Sequence, residues 1–274
     1  MKTVIQILTL IFTINSINGQ SKMKNEYQPD WAFYFSNVDD IYSSIATDLA
    51  LVNIAPIQSQ KYIVYISLKM NSPREDGLSS SEEVNKLWEI EDEINKNLEN
   101  QNIEFTSAGR LTSNGYRDLY FFGANKIIIE KTIGETMDQY SEYNFDIGSK
   151  EDIEWKSYFE FLYPLPRQMQ SIQNFRVVEN IQKGGDDLSK KRDVFHWIYF
   201  KDSNKMEEFE KYTLTKGFKT LNKGKSEGEF KYVIQISRLD KVGFNDIDEY
   251  TLNLWEKAIE FEGEYDGWET SVEK

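Results

Sequence analysis

The second half of the sequence constrains the fold most, because strand-like and helix-like patterns alternate there in a defined order. The segment VFHWIYF is filled with β-branched and aromatic residues, as is typical of a strand. In chain order, the predicted elements are a strand from Val194 to Phe200, a helix from Asp202 or Ser203 to Gly217, strands from Phe218 to Leu221 and from Phe230 to Ser237, a helix from Asp246 to Gly263, and a strand from Trp268 to Val272. The order β-α-β-β-α-β predicts an antiparallel sheet with both helices on one face, which is the ferredoxin-like arrangement.

The first half follows the same order between Lys61 and Ile147. Ser80 and Glu83 have the spacing of a capping box, in which each side chain bonds the other residue's backbone at a helix start. The elements predicted here are strands from Trp31 to Phe35, Lys61 to Met70, Ile103 to Gly109, Tyr116 to Gly123 and Tyr143 to Ile147, and helices after Ser80, from Lys126 to Tyr140 and from Asp152 to Leu162. The run Ile127-Ile128-Ile129 leaves a strand as the alternative to the second of these helices.

A proline-containing run, Tyr163 to Pro166, is the predicted domain boundary, because proline cannot continue a helix and favours extended backbone before it. Ser171 is predicted to cap the helix that opens the second half. A chain of 274 residues is long enough for two domains. We therefore predict an α+β protein with two tandem ferredoxin-like domains, spanning residues 27–166 and 171–274.

The charge balance is strongly acidic, with a net charge of −14. Ten of the acidic side chains lie between Asp246 and Lys274, against only Lys257 and Lys274, so this tail carries −8. Nucleic-acid binding depends on Lys and Arg that neutralise phosphates, so this balance disfavours it. An acidic surface can be a solvated face, or it can steer a basic protein partner towards the chain. Cysteine is absent from the sequence, which excludes disulfides and thiolate chemistry.

The first twenty residues have the order of a secretory signal peptide. Lys2 supplies a positive charge, an apolar run from Val4 to Ile14 follows, and a short polar segment ends at Gln20. We therefore expect residues 1–20 to be removed and the protein to be exported, to the periplasm or outside the cell. The alternative is a true start at Met23, which would leave the protein in the cytoplasm. No later stretch is apolar enough to cross a membrane.

Each half of the chain contains a set of motifs that resembles a known family. The set in the second half is Gly185-Asp186-Asp187-Leu188, Lys191-Arg192-Asp193-Val194-Phe195-His196-Trp197, Tyr199-Phe200, Gly217-Phe218 and Gly263-Glu264-Tyr265-Asp266-Gly267-Trp268, and it resembles the regulator of ribonuclease E activity B family. The set in the first half is Trp31-x-Phe33-Tyr34, Gly77-Leu78, Leu87-Trp88, Gly109-Arg110-x-Thr112-x-x-Gly115-x-Arg117-x-Leu119-Tyr120-Phe121 and Trp155-x-x-Tyr158, and it resembles family 695 of domains of unknown function. The regulator resemblance implies a ferredoxin-like, non-enzymatic protein that binds an endoribonuclease and inhibits RNA processing.

The sequence offers few groups for catalysis, and we predict a protein that is not an enzyme and uses no cofactor or metal. His196 is the only histidine, and strand alternation puts it on the core face with Val194 and Ile198, which favours a structural role. Asp246 and Asp248 fit the first turn of a helix, where acidic residues are favourable. A hydrolase site built from a pair of carboxylates remains an alternative, because separation in space is invisible in sequence.

The closing segment Tyr265 to Trp268 has two interpretations. Asp-Gly is typical of a turn, with Trp268 packed in the core, whereas an aromatic side chain beside acids is typical of a binding hot spot. We predict a regulatory protein that binds a protein partner and no nucleic acid, and the acidic tail favours a basic partner. The candidate partner contacts are Asp186, Asp187, Arg192, His196, Tyr265, Asp266 and Trp268.

Overall fold

The computed structural model describes residues 27–274, and the predicted signal peptide, residues 1–20, lies outside this range. The first domain contains a six-stranded antiparallel sheet in the order β1-β2-β4-β5-β3-β6. Its elements are β1 Trp31–Val38, β2 Ile41–Asp48, β3 Tyr62–Lys69, α1 Val84–Asn100, β4 Phe105–Ser113, β5 Tyr116–Gly123, α2 Lys126–Met137 and β6 Phe145–Glu151. From β3 to β6 the order is β-α-β-β-α-β, as predicted, and the β1–β2 hairpin extends the sheet beyond β4.

Both faces of this sheet are covered. Helices α1 and α2 pack on one face against Val64, Ile66 and Phe121. On the other face, a short π-helical segment, Ser157–Leu162, packs with Trp155 over the strands. The indole ring of Trp155 stacks on Phe122 with ring centroids 3.9 Å apart, and its N–H donates to the carbonyl oxygen of Gln60 at 2.9 Å.

The predicted capping box at Ser80 is wrong. Helix α1 begins at Val84, and the hydroxyl of Ser80 is buried without a hydrogen-bond partner among the described residues. The carboxylate of Glu83 instead accepts from the backbone N–H groups of Asn71 and Ser72, at 2.6 and 2.7 Å. Glu83 therefore closes the loop that precedes the helix, because those two N–H donors would otherwise lack a partner.

The second domain contains a four-stranded antiparallel sheet in the order β10-β7-β9-β8. Its elements are α3 Pro166–Lys183, β7 Arg192–Phe200, α4 Ser203–Thr215, β8 Lys219–Lys225, β9 Tyr232–Asp240, α5 Phe244–Glu260 and β10 Gly263–Thr270. From β7 onward this is the predicted ferredoxin-like order. Helices α4 and α5 pack against the sheet face that carries Ile198, Ile234 and Ile236.

Helix α3 joins the two domains, and it begins earlier than predicted. Pro166 occupies its first turn after an extended Leu165, so the proline starts a helix where the sequence was interpreted as a break. Ser171 is therefore not a cap but a residue inside the helix. Its hydroxyl donates to the carboxylate of Asp248 on α5 at 2.6 Å. Asp248, which was predicted to favour the start of α5, thus ties that helix to α3.

The two faces of α3 contact different domains. Ile172 belongs to the core of the first domain, and Phe175 stacks on Phe33 of β1 with centroids 5.8 Å apart. Val178 belongs to the core of the second domain. No helix within residues 27–274 is both long and apolar enough to cross a membrane.

Candidate functional site

Asp186 and Arg192 form a buried ion pair that holds the end of the chain. Their side chains are 0% and 2% exposed, and Arg192 also donates to the carbonyl oxygens of Asp187 and Ser271, at 2.7 and 3.1 Å. The backbone N–H of Glu273 donates to Asp186 at 2.8 Å. Burial alone would raise the pKa of Asp186, but the hydrogen bonds from Arg192 and Glu273 and the charge of Arg192 lower it overall. The structure thus gives both predicted partner contacts a structural role instead.

His196 and Tyr265 are also buried, at 0% and 6% exposure. Nδ1 of His196 and the hydroxyl of Tyr265 share a hydrogen bond of 2.8 Å, and the imidazole lies edge-on to the rings of Phe218 and Tyr250. The structural interpretation of His196 is therefore confirmed. Neither side chain can reach a partner at the surface, so neither His196 nor Tyr265 is a partner contact.

Trp268 packs against the buried cluster that contains Val178 and Val194, as the first alternative expected. The segment Tyr265 to Trp268 is nevertheless not a turn. It lies inside β10, where a β-bulge falls between Tyr265 and Gly267 and the φ of Gly267 is 151°. A bulge needs the same permissive backbone as a turn, which explains the Asp-Gly pair. Trp268 is half-buried and its indole N–H donates to Asn174 of α3 at 3.0 Å, whereas Asp266 is exposed. Asp187 is exposed as well, and its carboxylate accepts from Ser189.

The sheet of the second domain leaves one face uncovered by α4 and α5, and we call it the outer face. Strand alternation directs Phe195, Trp197 and Tyr199 of β7 to this face, since Val194, His196, Ile198 and Phe200 point to the helices. The three aromatic side chains are partly exposed. On β9 the register places Ser237, Gln235 and Val233 opposite them. A row of aromatic side chains along a central strand thus forms the middle of the outer face.

Acidic side chains border this aromatic row along β10. The register pairs Glu264 with Tyr199 and Glu269 with Phe195, so these carboxylates share the face of the rings. Burial raises the pKa of Tyr199, and the negative charge of Asp266 raises it further. The outer face thus has an aromatic centre and an acidic border along β10.

Sequence reasoning missed Phe195, Trp197 and Tyr199 because it used the strand only to place His196 in the core. The signal was present, since both faces of VFHWIYF are apolar although only one face is covered by helices. Antiparallel sheets with one open face usually alternate apolar and polar residues. The outer face of β7 lacks that alternation, since it carries Phe195, Trp197 and Tyr199. Within residues 27–274 no three His, Asp or Glu side chains gather as metal ligands.

Comparisons with known proteins give two family matches. Residues 29–163 match the model of a family of unknown function, DUF695, and residues 171–270 match the model of the family described as regulator of ribonuclease activity B. No curated protein matches the chain.

Among solved structures, an unknown protein from Galdieria sulphuraria is 12% identical, with a TM-score of 0.22, 78% of this chain covered and 99% of that chain covered. A candidate glycine cleavage system transcriptional repressor is 11% identical, with a TM-score of 0.22, 78% of this chain covered and 98% of that chain covered.

Neither family description names a catalytic activity. The chain is therefore similar to DUF695 over residues 29–163 and to the regulator of ribonuclease activity B family over residues 171–270.

Proposed function

We propose that this protein is a non-catalytic regulator that binds a basic protein through the outer face of its second domain. The observation that carries the proposal is the row of Phe195, Trp197 and Tyr199 on a sheet face that α4 and α5 leave uncovered. Aromatic side chains dominate interface energetics because they remove a large apolar area from water with few rotatable bonds. The family description, a regulator of ribonuclease activity, supports a protein target.

The acidic side chains that border the aromatic row favour a protein partner over a nucleic-acid partner. Some RNA-binding domains also present aromatic residues on an open sheet, where they stack on bases, but they add Lys and Arg for the phosphates. Here Glu264 and Glu269 flank the rings, and among the residues aligned on β8 only Lys219 adds a positive charge to this face. Phosphates would be repelled along the β10 side of the face.

Site-specific crosslinking tests this surface directly. We would replace Trp197 by the photo-crosslinking residue p-benzoylphenylalanine, and as a matched control replace Leu214, an exposed apolar residue on α4. Irradiation of cells that produce each variant should give one protein adduct from position 197 and none of the same mass from position 214. Mass spectrometry should identify a target with a basic surface. Equal adducts from both positions, or an RNA adduct at 197, would overturn the proposal.

Export is part of the leading proposal and is supported by the charged, apolar and polar order of residues 1–20. Mass spectrometry of the mature N-terminus, combined with cell fractionation, tests it. A mature chain that begins near residue 21 in the exported fraction is expected. Recovery of intact Met1 in the cytosol would contradict export.

A second candidate function keeps the family's described role in the cytoplasm. In this case the protein chain would start at Met23. The match of residues 171–270 to the regulator family supports this second function. The purified chain from Met23 onward would be added to a cleavage assay with an endoribonuclease from the same cell. Inhibition that is lost in Trp197→Ala would favour this candidate, and unchanged cleavage would exclude it for that nuclease.

A further inference from the structure

Strand β6 forms one edge of the six-stranded sheet in the first domain. Along an antiparallel ladder, hydrogen-bonded pairs alternate with non-bonded pairs. Just after β6, the N–H of Asp152 donates to the carbonyl oxygen of Lys61. Just before it, the carbonyl oxygen of Asn144 accepts from the N–H of Lys69. The even-numbered residues of β6 therefore bond to β3. The odd-numbered residues direct their backbone N–H and C=O groups to the free side of the strand, and they are Phe145, Ile147, Ser149 and Glu151.

The other three sheet edges of the described domains each carry a feature that hinders pairing with a further strand. Helix α3, which leads to the second domain, lies along β1 at the opposite edge of the same sheet, where Phe175 stacks on Phe33. Strands β8 and β10 each contain a bulge and several charged side chains. Covering helices, bulges and charges keep sheet edges from pairing in natural proteins. The register of β6 with β3 is unbroken from Phe145 to Glu151, so its free side presents a regular ladder.

Gly148, in the middle of β6, is covered by a neighbouring ring. A Cβ at this position would collide with the ring and hydroxyl of Tyr65, which lies opposite on β3. Glycine weakens a strand, but an aromatic ring over an edge glycine stabilises it. The middle of the β6 edge therefore keeps strand geometry without a side chain of its own, and a second backbone can approach it closely.

Two charged side chains of β6 are available for a partner. Asp146 and Lys150 are exposed, and within residues 27–274 neither forms an ion pair. Both point to the same sheet face as Gly148. They lie four residues apart, about 13 Å along a strand, so they cannot pair with each other in one chain. The acidic residues that line the neighbouring groove with Lys150 are Asp118 and Glu160, and neither pairs with it in the described part of the chain.

Antiparallel pairing of two β6 edges about a two-fold axis at Gly148 brings these charges together. In this register the outward backbone groups of Ile147 face those of Ser149 in the second copy, which makes hydrogen-bonded pairs. Asp146 of each copy lies opposite Lys150 of the other, with Cβ atoms about 4.5–5.5 Å apart. A register centred on Ile147 or Ser149 also matches the backbone groups, but it sets Lys150 opposite an uncharged residue.

We propose that two copies of this chain associate through their β6 edges, antiparallel and about a two-fold axis at Gly148, into one continuous sheet. A second copy is the partner because the charge pattern of β6 complements itself when the strand is reversed. Phe145, which is 37% exposed, falls opposite Glu151 and loses exposed ring area. A two-fold contact uses the same patch on both copies and therefore ends at a dimer. The outer face of the second domain takes no part, so this proposal stands apart from the proposed function.

Sedimentation velocity of the full-length protein tests the association. We expect a dimer whose fraction rises between about 1 and 100 µM, the range that reveals a micromolar dissociation constant. Ser149→Pro removes an outward N–H that the sheet itself does not use, so it should give a monomer of nearly unchanged thermal stability. A wild-type monomer at about 100 µM would overturn the proposal, including the case in which the edge pairs with an extended segment of another protein. A dimer that Ser149→Pro leaves intact would overturn it too.

Charge reversal tests the register. Lys150→Asp sets two acids opposite each other and the axis repeats the contact, so the dimer should weaken at least about tenfold. Asp146→Lys should do the same. The double variant Asp146→Lys with Lys150→Asp exchanges the charges and should restore association, which also shows that the variants fold. Lys225→Asp, the same change at an exposed position of β8, is the matched control and should leave the dimer unchanged. Weak association of the double variant, or equal effects of Lys150→Asp and Lys225→Asp, would contradict the proposal.

Disulfide formation reads the register directly, since the sequence contains no cysteine. Asp146→Cys with Lys150→Cys places two thiols opposite each other across the axis, so mild oxidation should give a covalent dimer. Asp146→Cys alone is the control, because its thiol then faces Lys150. Positions 146 and 150 of one chain are too far apart to bridge. Equal yields of covalent dimer from the single and the double variant would show a different contact and overturn the proposed pairing.

Discussion

Nδ1 of His196 lies 2.8 Å from the hydroxyl oxygen of Tyr265, and the two side chains are sealed in the core of the second domain. Burial, with a smaller contribution from the positive charge of Arg238, lowers the pKa of His196 to about 3. The imidazole is therefore neutral in the folded protein wherever pH exceeds this value. In the unfolded chain it binds a proton below about pH 6.5.

This difference predicts an acid-dependent loss of stability. Since the unfolded state binds more protons, the free energy of unfolding should fall as pH falls from about 6.5 towards 3, by up to about 1.4 kcal/mol per pH unit from this residue. His196→Gln removes the titration, so its stability should depend less on pH in this window. Urea unfolding of both proteins near pH 7 and near pH 5 measures the difference. Parallel pH profiles would contradict the assigned pKa shift.

Asp186→Asn should destabilise the second domain by about 3 kcal/mol, because Arg192 would remain buried without its counter-charge. Asp187→Asn is the control, since this neighbour is exposed, and a change within about 0.5 kcal/mol is expected. Urea unfolding near pH 7 compares the two variants. A small effect of Asp186→Asn would show that the pair does not anchor residues 271–273.

The acidic border of the outer face should control the rate of partner binding. Glu264→Gln with Glu269→Gln should slow association with the partner found by crosslinking and flatten its dependence on salt, because these carboxylates act at long range. Surface plasmon resonance at two ionic strengths measures both effects. The matched control is Glu207→Gln with Glu208→Gln, which removes the same charge from α4. An identical salt dependence in wild type and border variant would argue against electrostatic steering.

Asn174 of α3 should anchor that helix to α5 and β10 of the second domain. Its amide nitrogen donates to Asp248 at 2.8 Å and to Thr251 at 2.6 Å, and its oxygen accepts from Trp268. Asn174→Ala would leave several buried polar groups without partners, and we expect a loss of about 2 kcal/mol or more. Gln173→Ala, at an exposed position of the same helix, should change stability little. Thermal unfolding followed by calorimetry should show a lower Tm for Asn174→Ala alone.

The strands and helices that the sequence predicted best are those with strong periodicity. Strand β7 was predicted within two residues of its observed bounds, because β-branched and aromatic residues fill it. Strand β2 was missed because it contains Ser43, Ser44 and Thr47 and little apolar pattern. The turn before it, at Asp39 and Asp40, has positive φ at both residues without the Asn-Gly pair that usually marks such a turn.

The candidate site was only partly predictable. The alternation along β7 correctly placed His196 in the core. The sequence could not show that α4 and α5 leave the opposite face of the sheet uncovered. Asp186 and Arg192 were identified as a motif and interpreted as partner contacts, since sequence alone does not reveal that each neutralises the other inside the fold.

Helix α3 determines how this protein can be divided. Because Ile172 completes one core and Val178 the other, a cut at either end of the helix strips apolar cover from one of the halves. A gene fusion that exchanged only the first 165 residues would have to supply a new surface for Ile172 and Phe175. The two domains are thus expected to be inherited, expressed and degraded as one unit, although each sheet is complete by itself.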